Sequence, residues 1–169
     1  MNKNIILIGM MGSGKTTVSK ELSKELPEYT LIDIDSEIEK STQKKISEIF
    51  LKHGEPFFRM LETDKIKKFC TGENKIISAG GGAFENEDNR KIMLANGTVI
   101  YLKASAQEIF NRIKNETHRP LLKRNFSLEK IETIMNKREK NYRKANYTID
   151  TTGKTPYNIV KEILEVING

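Results

Sequence analysis

Gly9-Met10-Met11-Gly12-Ser13-Gly14-Lys15-Thr16 decides the fold of this 169-residue chain. The eight residues fit G-x-x-x-x-G-K-[ST] at every fixed position, a loop whose backbone N–H groups turn inward around phosphate oxygens. Working outward, Ile5-Ile6-Leu7-Ile8 before it reads as a buried parallel strand, and Val18, Leu22 and Leu26 after it have helical spacing. Strand, loop and helix N-terminus together imply a polyphosphate site. Gly12, Ser13, Gly14, Lys15, Thr16 and Thr17 are the candidate nucleotide-binding residues: Lys15 reaches the β- and γ-phosphates, and the Thr16 hydroxyl is placed for magnesium. Lys15 is expected to act on phosphate charge alone and to take no part in packing.

Downstream, Tyr29 to Ile34 reads as a second strand that runs into Asp33-Ile34-Asp35. Strand alternation puts both carboxylates on one face at a carboxyl end, where ligands of open parallel sheets bind. Asp33 is the candidate for magnesium through water, and Asp35 the candidate acceptor or base for a substrate hydroxyl. Helix capping competes for Asp35, because Ser36 and the acids after it look like a helix start. A helical region from Ser47 to Cys70, broken near Gly54 and Pro56, carries Arg59 and Glu62. Three residues apart on one face, they form either a surface ion pair or a clamp in which Glu62 orients Arg59 toward an anion. Ile76 to Ser78 reads as a third strand leading into Ala79-Gly80-Gly81-Gly82, where a ligand can approach the backbone closely; a plain turn is the alternative. No acidic residue ends this strand, which leaves the metal to Asp33.

The rest alternates in the same way. A helix over 88–95, a strand over Thr98–Leu102 and a helix from Ser105 to about Asn115 come next. After them come a helix opening at Ser127, a strand over Tyr147–Ile149 and a last helix started by Thr155-Pro156. The polar, basic stretch from Thr117 to Asn125 lies between two helices and has the layout of a mobile lid, about residues 116–126. Alternating strands and helices predict an α/β fold with a parallel sheet covered on both faces, as one domain over 1–169.

Net charge is +6, but the basic surplus is concentrated between Lys103 and Lys144. Aromatic residues there do not interleave with the charges as a stacking platform would, so the surplus reads as cover for polyphosphate rather than a nucleic-acid surface. Lysine outnumbers arginine 22 to 7, so each arginine is informative as a planar fork for carboxylate or phosphate. One cysteine, Cys70, excludes an internal disulfide framework. Apolar runs are only strand-length, and Gly9 cuts the first too early for a signal peptide, so a cytoplasmic protein without a membrane span is expected.

With these residues in order, the chain resembles the shikimate kinases, of the nucleoside monophosphate kinase type. The resemblance rests on Gly9 to Thr16, Asp33-x-Asp35, Phe58-Arg59-x-x-Glu62, Gly80-Gly81-Gly82, Arg119-Pro120-Leu121-Leu122, and Arg138 with Tyr142. It implies a three-layer P-loop kinase fold with strand order 2-3-1-4-5. It further implies transfer of the ATP γ-phosphoryl group to the 3-hydroxyl of shikimate, with Mg2+, on the route to aromatic amino acids. Carried over by motif, Asp35, Arg59, Gly80, Gly81, Gly82 and Arg138 hold shikimate, with Arg59 and Arg138 on its carboxylate and the region about 35–62 as the substrate-binding part. Thr16 and Asp33 attend magnesium, Lys15 and Arg119 the phosphates, and Arg112 and Pro156 the adenine. Lys15, Asp35 and Arg119 are the implied catalytic set, in a monomer. One departure is Ala79 before the triple glycine, where the family often has threonine.

Competing readings are a kinase for gluconate or a nucleoside monophosphate, and a nucleotide-gated switch. The loop lacks the proline and extra glycine common in adenylate kinases. A GTPase would need N-K-x-D, and Asn136-Lys137-Arg138-Glu139 lacks the aspartate.

Overall fold

A computed structural model describes residues 3–114 and 127–169. Arg119 and the expected lid over 116–126 lie outside the described residues. Five parallel strands form one sheet in the order β2-β3-β1-β4-β5, the order expected. They are β1 (Asn4–Ile8), β2 (Thr30–Asp33), β3 (Lys75–Ser78), β4 (Gly97–Lys103) and β5 (Tyr147–Asp150). Between and after them run α1 (Lys15–Glu25), α2 (Ile34–Thr42), α3 (Ile46–Phe69), α4 (Glu87–Asn96), α5 (Ala106–Ile113), α6 (Leu128–Tyr142) and α7 (Pro156–Asn168).

Period-two alternation in β1 divides the core. Ile5 and Leu7 face Val18 and Leu22 of α1 and Ile159 and Ile163 of α7. Ile6 and Ile8 face the opposite layer, which includes Ile38 of α2, Ile66 of α3, Met93 of α4 and Ile131 of α6. Every β1 side chain is buried, as a central parallel strand covered on both faces requires.

Helix starts follow short polar caps. Ser105, Ser127 and Thr155 accept hydrogen bonds from the N–H groups of Glu108, Lys130 and Asn158, each satisfying a donor the helix leaves open. Gly54 takes φ 79°, ψ 173° inside α3 and kinks it, where a break was expected. Periodicity gave no sign of the role of Asn4. Its buried amide nitrogen reaches the carbonyls of Cys70, Gly72 and Asn96, while its oxygen accepts from Lys75 N–H at 3.1 Å. It ties the start of β1 to the ends of α3 and α4.

Asp33-Ile34-Asp35 differs from the strand reading. The strand ends at Asp33, which caps α2 by accepting from Ser36 N–H at 2.9 Å; Asp35 stands in the first helical turn. A helix start, not strand alternation, therefore aims the two carboxylates, and the capping residue is Asp33.

Candidate functional site

The phosphate loop links β1 to α1, and its turn depends on glycine. Gly14 has φ 95° and Gly12 φ 78°, in the left-handed region that glycine enters without a Cβ clash. A Cβ on Gly12 would also come within 2.6 Å of Ile113 in α5. Arg112 of the same helix donates to the Gly12 carbonyl at 3.0 Å and pairs with Glu108. Lys15 departs from expectation because it is buried, and its ammonium donates to the carbonyls of Gly9 and Met10 at 2.8 and 2.9 Å. It closes the loop on itself as well as offering charge. Ser13 Oγ is buried with no hydrogen-bond partner among the described residues. Thr16 and Thr17 are exposed on a cleft of about 430 Å³ that also takes in Gly14, Lys15, Asp33 and Arg112. Pro156 opens α7, is exposed, and is not among the residues lining this cleft.

A second cleft of about 460 Å³ adjoins the first, and Thr16, Asp33, Asp35, Gly80 and Gly81 line both. Arg59 and Glu62 of α3, Gly82 after β3, and Arg138 of α6 line the second cleft and not the first. Arg59 donates to Glu62 at 2.9 Å and to Glu55 at 3.1 Å, so the pair three residues apart lies in the wall rather than on open surface. Arg138 is only 7% exposed, and among the described residues its guanidinium makes no ion pair; Nη1 lies 3.8 Å from Met10 Sδ. A buried guanidinium without a carboxylate is costly unless an anion completes it.

Close approach explains the three glycines together. A Cβ on Gly80 would lie 2.7 Å from Glu62 Oε2 and 3.3 Å from Asp35 Oδ1, one on Gly81 3.0 Å from Arg138 Nη1, and one on Gly82 would overlap the Arg59 guanidinium. Charged side chains occupy the space any larger residue would need. Ala79, just before the triple glycine, is buried and its N–H donates to the Leu7 carbonyl at 3.1 Å.

Among the described residues no group of three or more His, Cys, Asp or Glu could hold a metal ion. One hydroxyl and one carboxylate beside a phosphate loop nevertheless suit magnesium, which keeps several waters and takes further ligands from phosphate. Thr16 and Asp33 supply that donor set on a shared cleft.

Glu62 is fully buried; Oε1 pairs with Arg59, and Oε2 has no partner among the described residues. Burial pushes its carboxyl up to about 7, against the pull of Arg59 and Arg138 and with the charge of Asp35 adding to the rise. The unfolded chain releases this proton near its ordinary 4.5. Between pH 4.5 and 7 the folded state thus binds the extra proton, and this group's contribution to stability falls as pH rises, levelling off above 7. The shift implies on the order of 3 kcal/mol. Glu62→Gln should therefore gain stability relative to wild type as pH rises across that window. Calorimetric Tm values from pH 4.5 to 8 check this, and a pH-independent difference between the two proteins would refute it.

Two elements of the site carried little sequence signal. The single 3₁₀ turn Ala83–Glu85 that follows the glycines is too short for periodicity. Glu55 lies four residues before Arg59, a spacing visible in the sequence, but its part in holding Arg59 needed the kinked helix to be seen.

The family model for shikimate kinase matches residues 11–168. The chain belongs to the shikimate kinase family. A shikimate kinase from Persephonella marina (strain DSM 14350 / EX-H1) is 45% identical over 162 residues, covering 96% of this chain and 97% of the relative. A solved structure of shikimate kinase from Acinetobacter baumannii in complex with shikimate superposes with a TM-score of 0.95 at 33% identity, covering 99% of this chain and 93% of that one. A gluconokinase from Sinorhizobium meliloti 1021 superposes with a TM-score of 0.61 at 16% identity, covering 96% of this chain and 90% of that one; it shares the fold alone. No described helix is long and apolar enough to cross a membrane. Set on this shikimate kinase fold, all the expected substrate residues, Asp35, Arg59, Gly80, Gly81, Gly82 and Arg138, line one cleft.

Proposed function

We propose that this chain transfers the γ-phosphoryl group of ATP to the 3-hydroxyl of shikimate, yielding shikimate 3-phosphate and ADP. The observation that carries the reading is the buried guanidinium of Arg138, which lines a glycine-lined cleft together with Arg59 and makes no ion pair among the described residues. A small hydroxylated acid answers that arrangement. Its carboxylate completes the two arginines, and a hydroxyl falls to Asp35 on the side shared with the phosphate loop. Membership of the family supports the same substrate and the use of ATP with Mg2+.

Phosphoryl transfer asks for position and charge more than covalent chemistry. Arg59, held by Glu55 and Glu62, and Arg138 orient the acid. Asp35 accepts the hydrogen bond or proton of the attacking hydroxyl. Lys15 leaves the loop carbonyls for the β- and γ-phosphates, with Arg119 as the second cation there. Gly12, Ser13, Gly14 and Thr17 line the phosphate path, and Arg112 and Pro156 stand at the nucleotide base. When bound through Thr16 and Asp33, magnesium neutralises charge on the phosphates. The whole chain acts as one kinase domain, as a monomer in the cytoplasm, on the route to aromatic amino acids.

Removing Arg138 tests the carrying observation. Its contact with the carboxylate is similar in ground and transition states, so Arg138→Ala should raise the shikimate KM about thirtyfold, the equivalent of roughly 2 kcal/mol, with a smaller fall in kcat. Steady-state kinetics with shikimate and ATP titrated separately measure it. An unchanged shikimate KM would remove Arg138 from the substrate site.

A further inference from the structure

We infer that Tyr142 is a positioning residue of the substrate site: its buried hydroxyl holds the peptide between Gly81 and Gly82 so that the Gly82 N–H is set as a donor to the substrate carboxylate. This rests on the shikimate reading. Tyr142 is fully buried at the end of α6, and its hydroxyl donates to the Gly81 carbonyl. No described peptide bond is cis, and in a planar trans peptide the N–H points opposite to the carbonyl. With the carbonyl held toward α6, the Gly82 N–H is directed away from it. The preceding peptide is fixed likewise, because the Gly80 carbonyl accepts from Ala83 N–H at 3.1 Å.

Neither the Gly81 nor the Gly82 N–H donates to a partner among the described residues. Successive N–H groups of this kind form a concavity suited to an anion. A guanidinium adjoins each of these glycines: a Cβ on Gly81 would meet Arg138 and one on Gly82 would meet Arg59. Arg138 and Tyr142 are one helical turn apart on α6, so one element supplies both a charge for the carboxylate and the hydroxyl that aims the backbone donor.

Ring packing does not need that hydroxyl. The Tyr142 ring stacks on Tyr101 at 4.7 Å, and the Tyr101 hydroxyl makes a separate bond to Glu139 at 2.8 Å. Tyr101→Phe therefore removes a hydroxyl from the same stack and leaves the glycine peptides untouched, which makes it the control for a merely structural role.

Tyr142→Phe should raise the shikimate KM about tenfold, leave the ATP KM within about twofold, and lower kcat by less than it raises KM. Tyr101→Phe should lower Tm with a shikimate KM within about twofold of wild type. In ¹⁵N spectra of the wild type, saturating shikimate should move the Gly82 amide proton, and the shift should shrink in Tyr142→Phe. If Tyr142→Phe lowers Tm but leaves the shikimate KM unchanged, or if Tyr101→Phe moves that KM as far, the inference falls while the activity stands. Should Tyr142→Phe not fold, an unmoved Gly82 amide in saturated wild type overturns it equally. Wild type that does not phosphorylate shikimate at all would overturn both.

Discussion

Lys15→Met is expected to lower kcat by about a thousandfold or more, with the sheet and helices intact. A preorganised cation aimed at developing charge is worth roughly two to three orders of magnitude when a single donor is lost, and this one serves the bond being broken. The structure adds a cost that the motif does not reveal. Lys15 is buried and bridges the Gly9 and Met10 carbonyls, so methionine leaves two loop carbonyls without a charged donor. Bonds of that kind are worth about 1.5–3 kcal/mol each before water takes their place. A Tm lower by several degrees is therefore expected alongside an unchanged far-ultraviolet circular dichroism spectrum. Near-normal turnover in the variant would exclude Lys15 from the chemistry.

Arg119→Ala should lower kcat on the order of a hundredfold while the shikimate KM stays within a few-fold of wild type. The assignment comes from Arg119-Pro120-Leu121-Leu122, in a basic segment between α5 and α6. An arginine that meets the γ-phosphoryl group in the transition state stabilises that state selectively, so its loss falls on kcat. This is the opposite of the pattern expected for Arg138, whose carboxylate contact is present before and during transfer. Measured on the same preparations, the two variants separate the roles. A large rise in shikimate KM for Arg119→Ala with kcat preserved would reverse them.

The fold was legible because its signals are local and repeated. A strand, a glycine loop and a helix follow one another at residues 5–26, and the alternation then recurs down the chain. Parallel strands buried on both faces write themselves as runs such as Ile5 to Ile8. The strand order itself came from resemblance, since nothing local fixes which strands are neighbours.

The site was legible residue by residue but not in its mechanics. Asp33 and Asp35 were singled out as a pair, yet the geometry that aims them is a helix cap, because a strand residue and a capping residue have the same composition. Arg59 and Glu62 had helical spacing that fits a surface pair equally well; only burial distinguishes the two, and burial of a charged residue leaves no trace in its own letter. Tyr142 belonged to a motif without a role, since a hydroxyl bonded to a backbone carbonyl 61 residues away has no sequence signature. Lys15 was expected to be free of packing because the motif records its ligand and not the carbonyls it bridges in the loop.

The most direct measurement is ADP release with magnesium and ATP across shikimate, gluconate and AMP as acceptors. Shikimate alone should stimulate release strongly, and the stimulation should vanish when magnesium is chelated. If gluconate or AMP were the better acceptor, or if shikimate left the rate at the level of ATP alone, the two-arginine cleft would not be a shikimate site.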